Sequence, residues 1–589
     1  MKLSDYVVKK LERLGVRQTF MVTGGGAMHL NDSFGQSKKI NLLFNHHEQA
    51  AAIAAEGYAR ASGKLAVVCV TTGPGGLNCL NGLFGAWTDS APILFISGQV
   101  KTATTLASCP QLALRQLGDQ ETDIIRVVTP LTKFARTVTD PQEIDSVLEE
   151  AIFHATSGRP GPVWVDIPMN VQAAQVNEKK LKKFRTPVVK KQLPANTYKK
   201  IAAWLTEAKK PLVVVGHGVR LGGAQKLLDT FLRQTKIPAG TTFNGFDLLA
   251  DDCPNFAGRI GTIGQRAGNF TLQNADVILF LGTRNNIRQV SYNWENFAAH
   301  AKKIIVDIDA AELKKPTVKP DLPICADVKN VLESLIRTLK KPLGTDAWRA
   351  HCQHLHRKFL PLQEFTFRPT DSVHPYLFMD KLSRQLRAQD TVVMANATAF
   401  VAFFQAAKLP ARVRAFSNSG CASMGYGLPA AIGACTDGKK PVICLEGDGS
   451  MMMNLQELQT VKTNHLPLKI FILKNGVYKS IIQTQTNFFK GRLTGCNAQS
   501  GVEVPDFTQV AKAFGLPAIK ITKNRDLEKQ IARVLKMQGP VVCEVICTED
   551  YIFSPKLSAR KLPDGTMVSP TLEDMFPFLP RDIFEKAKM

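Results

Sequence analysis

Short apolar runs recur along the chain and are separated by longer stretches with helical spacing. The runs lie at residues 19–22, 41–44, 65–71, 93–97, 211–215, 277–281, 303–308, 441–445 and 468–473. Runs that are apolar at nearly every position are typical of strands buried on both faces of a parallel sheet. Helical stretches between them, such as 3–14 and 49–60, complete the alternation. This pattern predicts an α/β protein made of doubly wound, Rossmann-like parallel sheets.

Polar segments divide this pattern into blocks. We predict three domains, at residues 1–176, 193–342 and 371–550, followed by a tail at 551–589. The predicted linkers are the Lys-rich stretch 177–192 and a polar, partly helical stretch at about 340–370. A chain of 589 residues accommodates three or four domains of about 150 residues each. The tail lacks a hydrophobic period, so we expect it to wrap a neighbour or cover a site.

Composition and charge narrow the possible classes of function. The formal charge of +24 raises the alternative of a nucleic-acid or membrane-surface protein. The basic residues are scattered, however, and no nucleic-acid-binding motif accompanies them. The 12 cysteines lack paired spacing and several lie inside apolar runs, which is typical of a reducing compartment. Neither a signal peptide nor a run of membrane-spanning length is evident, and we expect a soluble, cytoplasmic protein without nucleic-acid or membrane partners.

The clearest chemical motif follows the apolar run at 441–445. Gly447 and Gly449 flank a carboxylate there, at the end of a strand, where open α/β sheets place their ligands. Glycine allows backbone N–H groups to approach a phosphate closely. Asp448 is then a suitable oxygen ligand for a magnesium ion that bridges that phosphate to the protein. Alone, the motif is equally compatible with an ordinary turn.

A second polar group follows the next strand. Asn475 comes directly after the run at 468–473, and its side-chain oxygen is the expected second metal ligand. The backbone carbonyl of Val477 is the expected third ligand. A helix is predicted between the two strands at 454–459.

The unit of strand, Gly-Asp-Gly-Ser, helix, strand and asparagine resembles the diphosphate-binding signature of thiamine-diphosphate (ThDP) enzymes. The resemblance covers residues 1–550 and is closest to the large subunit of acetolactate synthase and its relatives. The shared stretches are Asn45–Gln49 with an alanine-rich helix, Gly73–Gly75, Ser97–Val100, Gln120–Thr122, Gly158–Pro162, Ser419–Gly420 and Met424–Ala430.

The resemblance implies roles for individual residues. Glu48 matches the carboxylate that hydrogen-bonds the aminopyrimidine ring of the cofactor, a task that favours a dry site and a raised pKa. Met424 matches the apolar residue that forces the cofactor into a bent conformation. Gln120 matches a glutamine on the substrate side. Further expected cofactor contacts are Gly25, Gly73, Asn78, Gly425, Ser450 and Tyr478, beside Gly447, Asp448, Gly449, Asn475 and Val477. Each of the three has an alternative interpretation. Glu48 is then a glutamate favoured at a helix N-terminus, Met424 an ordinary core methionine and Gln120 a surface glutamine.

The central block resembles the FAD-binding domain of acetolactate synthase. Gly216 and Gly218 follow a strand, which is only a weak nucleotide signal by itself. The resemblance implies that Arg284 and Arg288 meet the flavin diphosphate, that Asp309 belongs to the same site and that Asp327 holds the adenosine end. The alternative is a domain that keeps the fold without the flavin.

Three departures from acetolactate synthases concern the second substrate. Asn170 follows Pro168-Met169 where those enzymes carry Pro-Lys-Asp, Asn396–Val401 replaces a Gly-Gln-His stretch, and Asp119 replaces a phenylalanine. These positions line the acceptor region in the relatives, so they leave the acceptor open.

The resemblance therefore implies a ThDP- and Mg²⁺-dependent enzyme. It decarboxylates a 2-oxo acid, with pyruvate as the expected substrate, and joins the acyl unit to a second carbonyl. The expected assembly is a homodimer or homotetramer with shared active sites, with a small regulatory subunit as a further partner. One alternative is a relative that uses another acceptor, such as a keto-sugar. Another is a catalytically silent, nucleotide-binding paralogue, against which intact Glu48, Asp448 and Asn475 argue.

Overall fold

A computed structural model describes residues 1–187, 193–561, 564 and 566–588. The first domain contains strands β1 (Gln18–Met21), β2 (Asn41–Phe44), β3 (Ala66–Val70), β4 (Ile93–Gln99), β5 (Ala135–Thr137) and β6 (Val163–Pro168). Its helices are α1 (Leu3–Arg13), α2 (Met28–Gly35), α3 (Glu48–Ser62), α4 (Pro74–Asn78), α5 (Leu80–Asp89), α6 (Ile124–Val128), α7 (Ile144–Thr156) and α8 (Met169–Ala173). All strand pairs are parallel, in the order β2-β1-β3-β4-β6-β5.

The central domain has a different strand order. Its strands are β7 (Pro211–Val215), β8 (Ala239–Thr241), β9 (Phe256–Arg259), β10 (Val277–Leu281), β11 (Lys302–Asp307) and β12 (Leu322–Cys325). Its helices are α9 (Ala195–Glu207), α10 (Gly218–Leu221), α11 (Gln225–Thr235), α12 (Arg266–Asn274), α13 (Ile287–Val290) and α14 (Val328–Thr338). All its strands are parallel, in the order β12-β11-β10-β7-β8-β9. The strand order therefore runs outwards in both directions from the neighbouring pair β7 and β10, which is the dinucleotide-binding arrangement of doubly wound sheets.

The third domain repeats the topology of the first. After the linker helix α15 (Asp346–Lys358) come α16 (Pro375–Ser383), β13 (Thr391–Met394), α17 (Thr398–Ala406), β14 (Arg414–Phe416), α18 (Gly427–Thr436), β15 (Val442–Gly447), α19 (Asp448–Met451), α20 (Glu457–Thr463), β16 (Leu468–Lys474), α21 (Lys479–Phe488), α22 (Phe507–Ala513), β17 (Ala518–Ile521), α23 (Leu527–Lys536) and β18 (Val541–Ile546). Its parallel order is β14-β13-β15-β16-β18-β17, which matches the first sheet strand for strand. Three six-stranded parallel sheets confirm the predicted fold class.

Small residues bring the first and third domains into close contact. Helices α3 and α18 pack against each other at Gly57 and Gly433. A Cβ on Gly433 would lie 1.8 Å from the carbonyl oxygen of Ala54, and one on Gly57 would lie 2.1 Å from that of Ala430. The alanine and glycine content of both helices therefore reflects the short distance between their backbones, because larger side chains would separate the helices.

Most predicted strands lie within a residue or two of the observed ones, but the predicted helix between β15 and β16 is displaced. The sequence predicts a helix over 454–459, whereas the structure places α19 directly at Asp448 and begins α20 only at Glu457. The reason is that Asp448 itself starts a helix, and the chain then turns around the buried Asn454. The predicted linker 177–192 includes residues 188–192, which lie outside the described part of the chain.

The tail folds back onto the central domain of its own chain. It contains a short antiparallel pair, β19 (Arg560–Lys561) with β20 (Met567–Val568), and helix α24 (Arg581–Ala587). Asn269 donates to the carbonyl of Leu572, and the buried Phe584 packs against Phe270. Among the described residues, no helix has the length and apolar character needed to cross a membrane.

Candidate functional site

Asp448 is a buried carboxylate at the carboxyl end of β15. Its Oδ2 accepts hydrogen bonds from the backbone N–H groups of Asn475, at 2.9 Å, and Gly476, at 2.7 Å, and its Oδ1 accepts from Gly449 at 2.7 Å. Burial raises the pKa of this carboxyl, while the backbone hydrogen bonds oppose the shift. Within the described part of the chain, no basic side chain forms an ion pair with Asp448. A buried carboxylate in this state fits a bound cation.

Asn475 and Tyr478 complete this end of the site. The Asn475 side-chain oxygen accepts a hydrogen bond from the N–H of Val477 at 3.1 Å, which folds the segment after β16 into a tight turn. The Tyr478 ring lies on Gly449, where a Cβ would be only 2.1 Å from the ring. The Gly-Asp-Gly motif and the asparagine are therefore in direct contact, as the sequence predicts.

A glycine-rich turn lies beside the Asp448 helix. The N–H of Gly425 donates to the Ser450 hydroxyl at 2.8 Å, and Asn454 donates to the Gly425 carbonyl at 2.7 Å. Gly425 has a φ of +82°, a conformation that favours glycine. Met424 precedes it and is 36% exposed, so it is not the ordinary core methionine of the alternative interpretation. The turn thus holds a partly exposed apolar side chain next to helix α19, which begins at Asp448.

The predicted residues of the first domain gather at the carboxyl edge of its sheet. Glu48 begins helix α3, and its Oε2 accepts a hydrogen bond from Asn78 at 3.0 Å. Gly73 has a φ of +54° and abuts the backbone of Gln120, since a Cβ there would lie 2.0 Å from the Gln120 carbonyl oxygen. Gly25, Asn78 and Gln120 are exposed and Glu48 is half-buried. The structure therefore brings these five residues to one edge.

Two hydrogen-bonded links join this edge to the third domain of the same chain. Asn45 donates to Glu457 at 2.8 Å, and the N–H of His46 donates to the other oxygen of Glu457 at 3.0 Å. Farther along, Asn81 donates to the Ser423 hydroxyl at 2.8 Å, next to Met424.

A separate cavity lies where all three domains meet. The loops after β7, β8, β10, β11 and β12 line it, together with Arg159 from the first domain and Ser419 from the third. This is the switch point of the central sheet, where doubly wound sheets bind their ligands. The side-chain nitrogens of Asn285 and Gln289 line the cavity, are buried and have no hydrogen-bond partner in the described structure. Unpartnered buried donors fit a ligand that supplies acceptor atoms.

The cavity includes only some of the predicted nucleotide-binding residues. Gly218, Arg284 and Asp327 line it. Gly216 lies behind the lining, where a Cβ would be 2.4 Å from the Gly282 carbonyl oxygen. Besides Gly216, two more of the predicted residues are not among those that line the cavity. Arg288 is one of them. Asp309 is the other, and it forms an ion pair with Arg159 at 3.1 Å.

Several contributing residues were not predicted. Glu446 is fully buried, accepts a hydrogen bond from the N–H of Leu428 at 2.9 Å and has its pKa raised to about 7 by burial. Glu457 anchors the segment before Glu48. Tyr551 contacts Asn475, although the sequence places it at the start of the tail. A carboxylate directly before the Gly-Asp-Gly motif was a usable signal for Glu446, whereas the other two contacts depend on the tertiary fold.

Comparison with known proteins agrees with this geometry. Three family models match: "Thiamine pyrophosphate enzyme, N-terminal TPP binding domain" at residues 1–124, the central domain of the same enzymes at 198–335, and the C-terminal TPP binding domain at 396–545. The acetolactate synthase isozyme 2 large subunit of Escherichia coli (strain K12) is 34% identical over 553 residues, which cover 93% of this chain and 95% of that protein. A chloroplastic acetolactate synthase of Arabidopsis thaliana is 32% identical over 563 residues, which cover 93% of this chain and 81% of that protein.

These matches extend over both sheet edges and the central cavity. The chain belongs to the thiamine pyrophosphate enzyme family, and it is a ThDP-dependent enzyme similar to acetolactate synthase over nearly its whole length.

Proposed function

We propose that the protein catalyses the ThDP- and Mg²⁺-dependent decarboxylation of a 2-oxo acid, pyruvate in the first instance, and transfers the acyl unit to a second carbonyl. The observation that carries the proposal is the contact of Asp448 with Asn475 beside the Met424 turn. The similarity to acetolactate synthases supports the reaction type.

The residues around Asp448 fit a magnesium ion. The Asp448 carboxylate, the Asn475 side-chain oxygen and the Val477 carbonyl would hold it, since Mg²⁺ prefers oxygen ligands. No basic side chain forms an ion pair with this buried carboxylate in the described structure, since the nearby Lys474 is paired with Glu544, and a divalent cation would supply the missing charge. A diphosphate bound beside the start of α19 would meet this magnesium ion.

Glu48, Met424 and Gln120 have separate proposed roles towards the cofactor and the substrate. When bound, ThDP supplies an electron sink for decarboxylation. Glu48 uses one oxygen for Asn78, and its other oxygen would hold a ring nitrogen of the cofactor and exchange a proton with it. The exposed Met424 side chain would support the cofactor from below. Gln120, presented on a loop at φ +60°, would reach the substrate.

The positions at which this chain differs from acetolactate synthases concern the acceptor substrate. Asn170 is held by Thr102, with its Oδ1 accepting from the Thr102 N–H at 2.9 Å and its Nδ2 donating to the hydroxyl at 3.0 Å. Asn396 donates to the Ser423 carbonyl at 2.7 Å, next to Met424. Both amides are engaged within the protein, so these departures from the relatives leave the acceptor open. A keto-sugar is the second candidate, beside pyruvate itself.

FAD is the proposed ligand of the central cavity. Asn285 and Gln289 offer free donors, while Arg284 and His217 line the same space. Burial and the positive charges of Arg60, Arg414 and Arg220 lower the pKa of His217 far below its usual range. His217 is therefore neutral and available as a hydrogen-bonding group.

The proposed assembly is a homodimer in which the first domain of one chain meets the third domain of another. Glu48, Gln120 and Met424 are all partly exposed on the single chain. Large apolar side chains on the same two domains are also exposed: Leu77, Phe84, Trp87, Met452 and Met453. A second copy would cover both sets.

Product analysis of the purified protein with ThDP, Mg²⁺, FAD and pyruvate tests the proposal. Acetolactate would establish pyruvate as acceptor. Carbon dioxide or acetaldehyde without acetolactate would retain the decarboxylation and direct a screen of aldehydes and keto-sugars. No turnover of pyruvate or of other 2-oxo acids, with ThDP bound, would overturn the proposed reaction in favour of a silent paralogue.

A further inference from the structure

Tyr551 connects the candidate metal ligand to a segment on the opposite side of the site. It follows β18 at the start of the tail, and only 5% of it is exposed. Its hydroxyl lies 3.1 Å from the Asn475 side-chain nitrogen and 2.6 Å from the Thr398 hydroxyl. No motif marks this tyrosine in the sequence, and the reaction described above does not use it.

The direction of these hydrogen bonds follows from the neighbouring backbone. The Asn475 oxygen accepts from the Val477 N–H at 3.1 Å, and a backbone N–H can only donate. The Asn475 nitrogen must therefore face Tyr551 and donate to the phenolic oxygen. The phenol also shares a hydrogen bond with the Thr398 hydroxyl, in which either oxygen can be the donor. The amide oxygen retains its second lone pair, which is free for a cation.

The Tyr551 ring is itself held in place. The Lys479 ammonium lies 5.0 Å from the ring centroid, and the rings of His374 and Phe553 lie edge-on at 5.9 Å and 6.0 Å. Contacts on several sides leave the phenol little freedom to turn away from Asn475.

The segment around Thr398 reaches the other half of the cofactor site. Thr398 begins α17 directly after Ala397, whose φ of +48° is unusual for a residue with a side chain. One residue earlier, Asn396 donates to the Ser423 carbonyl at 2.7 Å, beside Met424. Residues 396–398 thus contact the Met424 turn at one end and, through Tyr551, the metal ligand at the other.

We propose that Tyr551 is a positioning residue for the magnesium ion: with Thr398 it holds the Asn475 amide so that its oxygen faces the metal. This inference rests on the proposed function. Groups that orient a metal ligand contribute about 10- to 100-fold to metal affinity. Residues 396–398, where the chain departs from its relatives, then serve the cofactor site as well as the acceptor.

The test is a Mg²⁺ titration of ThDP binding to the full-length protein, followed by intrinsic fluorescence or calorimetry. Tyr551→Phe keeps the ring and removes only the hydroxyl. It should raise the Mg²⁺ concentration for half-maximal ThDP binding about 10- to 100-fold, and saturating Mg²⁺ should restore ThDP affinity. Thr398→Val, nearly isosteric, should produce a shift in the same direction and a smaller one.

Tyr376→Phe is the matched control. Its hydroxyl is also buried, contacts Gln405 at 2.5 Å and accepts from the N–H of Ser554 in the tail, but it does not touch Asn475. This variant should lower thermal stability without changing the Mg²⁺ dependence. A purely structural role for Tyr551 predicts the same outcome for both tyrosines.

Two results have distinct meanings. Unchanged Mg²⁺ dependence in Tyr551→Phe and Thr398→Val, with a Mg²⁺-dependent wild type, would overturn the positioning role and leave the proposed function intact. Absence of Mg²⁺-dependent ThDP binding in the wild type would overturn the proposed function and this inference together.

Discussion

Glu457 in the third domain holds the segment that leads into Glu48 in the first domain. The Asn45 amide donates to one of its carboxylate oxygens at 2.8 Å and the His46 N–H to the other at 3.0 Å. Asn45 and Glu457 are both buried. Glu457 is the first residue of α20, the helix after the Gly-Asp-Gly motif. These hydrogen bonds therefore fix the start of helix α3 relative to the third domain, and they couple the geometry of the two sheet edges within one chain.

Replacing Glu457 by glutamine should weaken this coupling. Asn45 and the His46 N–H are both donors, so the new NH₂ group must face one of them, although the Thr460 hydroxyl on the Asn45 side can turn and accept from it. A buried donor left unpaired costs about 1–3 kcal/mol. We expect a lower thermal midpoint and a kcat reduced about tenfold, with ThDP affinity less affected. Enzyme kinetics and thermal unfolding measure these effects. Glu528→Gln, at an exposed carboxylate, is the control, and equal behaviour of the two variants would contradict the prediction.

The contact between α3 and α18 should tolerate no added methyl group. In Gly433→Ala, the new Cβ would lie 1.8 Å from the Ala54 carbonyl oxygen, so the helices must separate. Overpacking of this kind costs about 1–3 kcal/mol or more. Chemical unfolding measures the loss. Gly35→Ala, in α2, meets no atom within 4 Å and should be neutral or slightly stabilising. A Gly433→Ala protein as stable as the wild type would refute the close packing.

Asp166 should make stability depend on pH. It is buried, accepts from the Ser97 hydroxyl at 2.6 Å, and has its pKa raised to about 7 by burial. A raised carboxyl pKa means that the folded state binds the proton more tightly, so its stabilisation is complete below about pH 4 and is lost as the pH rises to about 7.

The comparison that isolates this effect is Asp166→Asn, because the variant lacks the titrating group. Urea unfolding at pH 5, 6, 7 and 8 measures the free energy of unfolding of both proteins. As the pH rises towards 7, the free energy of unfolding of the wild type should fall relative to that of the variant, by up to about 1.4 kcal/mol per pH unit. The difference should level off above that pH. A difference that is constant from pH 5 to pH 8 would show that Asp166 has an ordinary pKa.

Gln289 should affect flavin binding and not the stability of the flavin-free protein. Its side-chain nitrogen is buried in the cavity wall without a partner, so Gln289→Leu removes a donor that only a ligand would satisfy. We expect FAD affinity to fall about 3- to 10-fold, as the loss of one hydrogen bond implies. Flavin fluorescence measures binding, and the thermal midpoint without FAD should stay level or rise. Unaltered FAD affinity would remove Gln289 from the flavin site.

Residues close together in sequence were the ones that could be predicted. Asp448 and Gly449 are adjacent, and Asn475 follows the neighbouring strand, so strand order alone brings them together. The repeated topology of the first and third sheets follows from the same alternation of apolar runs and helices. By contrast, Arg288 and Asp309 were assigned to the flavin from the resemblance, and the structure places neither in the cavity lining.

Contacts that depend on the tertiary fold could not be read from the chain. Glu457 and Asn45 are 412 residues apart, and Tyr551 lies in a segment without any periodic pattern. The short helix α19 was also missed, and α20 begins three residues later than predicted because Asn454 bonds the Gly425 carbonyl instead of entering the helix. In each case a side chain bonds to a residue far away in the sequence, and local patterns carry no signal for such a contact.

The most direct test of the account is pyruvate turnover by Glu48→Gln beside the wild type, with ThDP and Mg²⁺ saturating and ThDP binding measured separately. The variant keeps the volume and the hydrogen bond to Asn78 but cannot exchange a proton. We predict that the wild type releases carbon dioxide from pyruvate only with both cofactors, and that the variant binds ThDP yet is slower by about 10²- to 10⁴-fold. Equal turnover by the two proteins would contradict the assignment of Glu48 and with it the central claim.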